Sequence, residues 1–373
     1  MPKWHSRALA KLASCRTYAA GRVYYQCEQC QGWQMVPAAC GHRMCAQCGH
    51  HKARLWEEAQ RERLLPVPYL MVTFTVPSQL RQLFKTNQLV CYNALFTESA
   101  GTLQDIAADP RHLGGQIGMT SVLHTWRRDL GYHPHIHAIV PAGALGKDGW
   151  IPAKTPKKPK KPKKSGPANT APEDVSNIYF LPAPVLAARM RNRMRDRLRA
   201  ELPELFKSLP RGTWKRPWNV NIQAVGKGET AFGYLARYVQ STAIGNSRIV
   251  ACDAKTVTYK WTDRATGQLK KETVAGSEFL RRFLQHALPK GLMRVRHYGF
   301  LSAAAKVSYA RVRQALGMPA MPIVEAGTTE AGTTEAGTTH GSGVRSLTAA
   351  PPPRQSRTSA INAYGSSISR FRH

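Results

Sequence analysis

Apolar and polar positions along the chain change period several times, and each change marks a boundary between elements. Tyr69-Leu-Met-Val-Thr-Phe-Thr-Val76 is apolar and β-branched throughout and ends at Pro77, which predicts a buried strand. Over residues 78–108 the period lengthens. Leu80, Leu83, Phe84, Leu95, Phe96, Leu103 and Ile106 return to recurring helical faces until Asp109-Pro110, which predicts a helix. A second strand is expected over 117–126. The polar turn 127–132 leads from it into a third strand ending in Ala138-Ile-Val140, so the two should pair as a hairpin. Pro184 opens a helix in which Leu186, Met190, Met194 and Leu198 recur every four residues as a core stripe. Further on, a strand is predicted over 214–224, a helix over 229–240 and short strands over 249–252, 256–261 and 269–274. A helix over 278–287 and a basic strand over 292–300 complete the series.

Four regions follow from this pattern. Residues 1–65 are cysteine-rich and end in a helix over 52–65 that Pro66 and Pro68 stop. Residues 66–245 hold the strands and helices of a main domain, interrupted at 154–177 by an extended segment rich in lysine and proline that lacks the apolar residues needed to fold. Residues 246–316 read as a β-rich extension. Residues 317–373 carry the run Glu325-Ala-Gly-Thr-Thr three times over and then a Ser-, Pro- and Arg-rich stretch without periodicity, so order is expected to end near 317.

Charge adds a partner. Lysine and arginine number 54 against 22 acidic residues, a formal net charge of +32, and so strong a field points to nucleic acid. Arg189 and Arg193, on the arginine-rich sides of the 184–201 helix, Arg237, and Arg294 and Arg296 in the basic strand are the candidate backbone contacts. Trp214 and Trp218 are available for base stacking or for the core. No apolar run reaches about 18 residues, so no membrane span is expected. The first residues form no secretory signal, and a reducing, cytoplasmic setting is expected.

In such a setting cysteines point to metal rather than disulfides. Cys27 and Cys30 form one C-x2-C knuckle and Cys45 and Cys48 a second, a spacing that closes a tetrahedral structural zinc site. Cys15, Cys40, His42, His50 and His51 are spare candidates. So small a region can hardly fold on its apolar residues alone, so metal would contribute much of its folding free energy.

The segment His133-Pro-His-Ile-His137 carries the other candidate chemistry. On a strand, His135 and His137 point to one face, about 6 to 7 Å apart, while Ile136 packs on the other. Two imidazoles so placed can share a divalent ion, and hairpin pairing would bring His124 to the same face. Tyr234 and Tyr238, four residues apart on the 229–240 helix, share one helical face. Beside a histidine metal site they become candidate nucleophiles.

Taken in order, the cysteine-rich start, Val122-Leu-His-Thr-Trp126, His133-Pro-His-Ile-His137, Tyr234-Leu-Ala-Arg-Tyr238 and Phe279-Leu-Arg-Arg-Phe283 through Arg296-His-Tyr-Gly-Phe300 resemble the two-tyrosine, rolling-circle transposases of the insertion sequence ninety-one family. The resemblance covers roughly residues 25 to 301 in the expected order. It departs at Met44 and Ala46, where His and Pro are expected, and at Val239-Gln240-Ser241, where relatives often carry Thr-His-Arg. It implies an α+β fold, with a central antiparallel sheet of His-hydrophobic-His (HUH) endonuclease type, the histidines on its middle strand, flanking helices and a small zinc-binding domain in front. It also implies magnesium or manganese at His135 and His137, with His124 or else Gln240 as third ligand, and zinc at the cysteines. The implied substrate is single-stranded DNA at mobile-element ends, together with target DNA, in a bacterial cytoplasm and nucleoid. A replication initiator or relaxase with the same chemistry, and a non-enzymatic zinc-dependent DNA-binding protein, are the alternatives.

Overall fold

The computed structural model describes residues 3–154, 180–210, 212–215, 218–227, 242–263 and 265–319, with the isolated positions 230 and 233. The Lys/Pro-rich segment, the repeat tail, Tyr234, Arg237, Tyr238 and Gln240 lie outside these residues.

The chain opens with α1 (Lys3–Ser14), the hairpin strands β1 (Arg22–Gln26) and β2 (Trp33–Pro37), and α2 (Ala46–Arg61). Residues 22–36 belong to a separate compact unit. At the tip of this hairpin, Cys27 N–H donates to Gly32 O at 2.9 Å and Gln31 N–H to Cys27 O at 2.9 Å, a tight knuckle that places Gln31 at φ 55°.

The main body is built on a five-stranded sheet. Its strands are β3 (Pro68–Thr75), β4 (Gly118–Trp126), β5 (Tyr132–Pro141), β8 (Asn219–Lys227) and β12 (Val295–Gly299), in the order β12-β4-β5-β3-β8 and antiparallel at every pairing. This confirms the α+β class, and the histidine strand β5 is the middle one. A smaller hairpin, β6 (Gly143–Leu145) with β7 (Trp150–Pro152), follows it. The three runs beyond residue 248 form a separate meander, β9 (Ile249–Cys252), β10 (Thr256–Thr262) and β11 (Leu269–Ala275), ahead of α7 (Gly276–Leu284).

Strand alternation divides the apolar residues between two cores. Leu70, Val72 and Phe74 of β3, Met119 and Leu123 of β4, and Ile136, Ala138 and Val140 of β5 face α4 (Gln88–Ala108) and α5 (Ala183–Glu201). The stripe Leu186, Met190, Met194 and Leu198 is fully buried there, as its spacing predicts. Tyr69, Met71, Val122 and Ile139 face the other way, toward Phe300, Leu301, and Tyr309 and Val312 of α8 (Lys306–Ala315).

α5 is also held to α4 by charge. Arg193 Nε lies 2.8 Å from the buried Glu98, its Nη1 2.8 Å from Asp105, and Arg189 Nη2 2.7 Å from the same Asp105. Removing one partner of a fully buried pair costs about 3–5 kcal/mol, and less here, where Asp105 and part of Arg193 are open to solvent. These two arginines, read from sequence as DNA contacts, pair with acidic residues of α4 while Arg189 stays exposed.

Three differences from expectation bear on the core and the central sheet. The helix over 78–108 is broken: a short 3-10 turn, then α3 (Arg81–Thr86), then α4 after Asn87, whose backbone (φ −123°, ψ 51°) leaves the helix while its amide donates to Leu83 O at 3.3 Å. The strand expected from 214 begins only at Asn219. Before it, Phe206, in α6 (Pro203–Lys207), stacks on Trp214 and Trp214 on Trp218, and Trp218 is buried in the core rather than open to bases. The basic strand of the extension becomes β12 and completes the central sheet against β4. Gly299 ends β12 at φ +59°, where a Cβ would come within 1.7 Å of Ile117 O, so only glycine fits.

Candidate metal centres and their surroundings

The β4–β5 register sets His124 directly opposite His135 and Val122 opposite His137. Since His135 and His137 are two apart, all three imidazoles share the sheet face away from α4 and α5. Their candidate ligand atoms lie within 4.8 Å of one another, and the ring centroids are 5.5, 4.9 and 4.7 Å apart for 124–135, 124–137 and 135–137. His124 and His137 are buried and His135 is partly so.

Supporting bonds orient the rings. His135 Nδ1–H donates to His133 O at 2.6 Å, which leaves Nε2 as its free-electron-pair nitrogen. His137 Nδ1 pairs with Thr73 Oγ1 at 3.0 Å from the neighbouring β3, again presenting Nε2. His124 stacks on Trp126, with centroids 4.6 Å apart and planes at 20°. His133 itself turns to Arg81, which donates from Nη2 to His133 Nδ1 at 2.9 Å. Burial and the neighbouring cations push the His133 pKa down to about 4, so this ring is neutral. Thr73, Arg81 and the Trp126 stack had no recognisable signal in the sequence. Three imidazole nitrogens on one face, with no carboxylate among them in the described residues, suit a divalent transition ion and leave coordination positions for oxygen ligands.

The second cluster consists of Cys15, Cys40, Cys45 and Cys48, whose sulfurs also lie within 4.8 Å of one another. Cys15 follows the C-terminal end of α1, Cys40 sits in the loop after β2, Cys45 caps α2 and Cys48 lies in its first turn. Sγ separations of 3.6 Å (15–45), 3.5 Å (15–48) and 3.7 Å (40–48) approach the edge of about 3.8 Å that four sulfurs at zinc distance would make. The Cys40 backbone N–H holds the Cys15 thiol down at about 7, while burial pushes Cys40 up to about 12. Four thiolates cannot share so small a volume without a cation. The residues present therefore fit zinc. The cluster brings together Cys45 and Cys48 of the expected set and two of the spare candidates, Cys15 and Cys40. Cys27 and Cys30 form a knuckle in the hairpin unit and enter no group of three or more ligating side chains among the described residues. His42 accepts the Met44 N–H at its Nδ1, 3.3 Å away, and is not part of the cluster.

The remaining predicted arginines are placed within the fold. Arg296 donates to Asn93 Oδ1 at 2.5 Å and lies 4.3 Å from the centroid of Phe96. Arg294 lies 5.1 Å over Trp126 and is enclosed enough for burial to push its pKa down to about 10. Both side chains are partly buried. Among the described residues, no helix is long and apolar enough to cross a membrane.

Residues 118–308 match the family model described as "Putative transposase", a span running from the first residue of β4 into α8. Residues 1–76 match the one described as "Transposase zinc-binding domain". The chain is 33% identical over 333 residues to "Putative transposase y4qJ" of Sinorhizobium fredii, covering 84% of this chain and 78% of that protein. It is 27% identical over 324 residues to "Transposase for insertion sequence element IS801" of Pseudomonas savastanoi pv. phaseolicola, covering 83% and 73%. No solved structure matches.

The histidine chemistry around this site makes stability depend on pH. His286 Nε2–H donates to Leu130 O at 3.1 Å and its Nδ1 pairs with Thr125 Oγ1 at 3.2 Å, and burial pushes its pKa down to about 4. Unfolded, the same group titrates near 6.5, so between those values the unfolded chain binds a proton that the native chain does not. Stability is then intact above about pH 6.5 and falls toward pH 4 by ~1.4 kcal/mol per unit from this residue. Urea unfolding at pH 6.5, 5.5 and 4.5 should show that slope reduced by about this amount in His286→Gln. An unchanged slope would refute the assignment.

Proposed function

The chain belongs to the IS91 family of transposases, and from that membership we propose that it nicks and rejoins single-stranded DNA at mobile-element ends and target sites, through 5′-phosphotyrosine intermediates, in rolling-circle transposition in the bacterial cytoplasm and nucleoid. The observation that carries this reading is the convergence of His124, His135 and His137 on one face of the central sheet. Magnesium or manganese held there would supply Lewis acidity at the scissile phosphate. Thr73 and the His133 carbonyl fix the ring orientations, so the ligands need little reorganisation when the substrate arrives.

The nucleophiles are Tyr234 and Tyr238. A tyrosine oxygen attacks phosphorus, the bond from phosphorus to the 3′ oxygen breaks, and that oxygen takes up a proton to become a free 3′ hydroxyl. The phosphodiester energy is kept in the phosphotyrosine, and attack by a 3′ hydroxyl reverses the step and rejoins the strand. Two tyrosines allow two such links at once. The test is a denaturing gel of the full chain with labelled single-stranded element ends. We expect a manganese-dependent covalent protein–DNA band that is lost in the Tyr234→Phe, Tyr238→Phe double variant and reduced at least tenfold in His135→Ala. Specific DNA binding with no covalent band under any metal would overturn the reading.

We also assign structural zinc to Cys15, Cys40, Cys45 and Cys48, supported by the spacing of their sulfurs and by the zinc-binding family match. Cys15→Ser and Cys40→Ser should each lose that zinc and unfold at lower temperature, whereas Cys27→Ser should retain it. Zinc analysis with thermal melts checks this. Loss of zinc in Cys27→Ser with retention in Cys15→Ser would return the site to the two C-x2-C knuckles.

A further inference from the structure

The loop between Cys40 and Cys45 reaches beyond its own module. Arg43 donates from Nη1 to Leu292 O at 3.0 Å and from Nη2 to Pro289 O at 3.0 Å and Leu288 O at 3.4 Å, so one guanidinium holds the turn that precedes β12. Two residues beyond Leu292 stands Arg294. Its carbonyl accepts the Leu123 N–H at 3.0 Å, its Nε reaches Leu123 O at 3.4 Å, and its guanidinium covers Trp126. Trp126 in turn stacks on His124. The contacts therefore run without a break from a cysteine-flanked loop to an imidazole of the histidine cluster.

Each link constrains direction as well as distance. A planar guanidinium shared among three carbonyls fixes the turn, and offset ring stacking fixes the plane of the next group. His124 stacks on Trp126 with ring centroids 4.6 Å apart and planes at 20°, so a shift of Trp126 tilts this imidazole with it. At the other end, the Arg43 position depends on Cys40 and Cys45 staying together. Their sulfurs, crowded with those of Cys15 and Cys48, can remain so once ionised only around a cation.

We propose that Arg43 is a positioning residue that couples the two metal sites: the folded cysteine loop, acting through the 288–294 segment and Trp126, orients His124, so the histidine cluster reaches full affinity for its divalent ion only when the cysteine site is filled. This rests on reading both clusters as metal sites. Coupling of this kind is reciprocal, so an ion at the histidines also strengthens zinc retention.

The test is titration of the full chain with manganese, followed by the electron paramagnetic resonance signal of the free ion, with zinc content measured in parallel. Arg43→Ala should keep its zinc and bind manganese about tenfold more weakly, the usual effect of losing a group that orients a ligand. Arg43→Lys, which keeps a donor for one carbonyl, should fall between. Dialysing zinc out of the wild-type chain should weaken manganese binding by the same factor, and doing so in Arg43→Ala should change it by less than about twofold, because the route is already cut. The proposal is overturned if Arg43→Ala binds manganese as wild type does, or if zinc removal weakens both proteins equally. Manganese binding that His135→Ala leaves unchanged overturns the reading of the histidine cluster and this proposal with it. An unchanged Arg43→Ala beside a weakened His135→Ala overturns the proposal alone.

Discussion

The pairing of β4 with β5 in a single register is the constraint on which the histidine cluster depends. Because side chains alternate along a strand, a slip of one residue would carry His135 and His137 to the face that packs against α4 and α5 and bring Ile136 and Ala138 out in their place. The register is held from that opposite face. Leu123, Ile136, Ala138 and Val140 are buried there under two helices, and the helices are tied to each other by Arg193, Glu98 and Asp105. The apolar core on one side of the sheet thus fixes the chemistry on the other.

Around that sheet the protein gathers support from distant parts of the chain. β3 contributes Thr73 to His137, and α3 contributes Arg81 to His133. β12, from the C-terminal part of the described chain, flanks β4 and delivers Arg294 to Trp126. The cysteine module reaches the same segment through Arg43. Several arginines of this strongly cationic chain are engaged by carbonyls, rings and carboxylates of the fold, so total charge overstates what is left for DNA.

Much of this was legible in the sequence. The strand at 69–76, the histidine hairpin, the α5 core stripe and the three-stranded meander follow from local periodicity, and His124 could be placed because a hairpin with a short turn fixes which residues face each other. What periodicity does not carry is contact between distant segments. Nothing local says that residues 295–299 join β4, or that Arg189 and Arg193 meet acidic residues on α4. The cysteine spacing names six candidates near the N-terminus without saying which four converge, since that depends on how α1 delivers Cys15 to the start of α2. The break at Asn87 was hidden because apolar residues continue at helical spacing on both sides of it.

The central claim is that His124, His135 and His137 together hold a divalent ion. Electron spin-echo spectroscopy of the manganese-loaded full chain, with the histidines labelled with nitrogen-15, tests it most directly. The account predicts modulation from three directly bound imidazole nitrogens, falling to two in His124→Ala. A manganese signal with no bound histidine nitrogen, or one that His124→Ala leaves untouched, would contradict it.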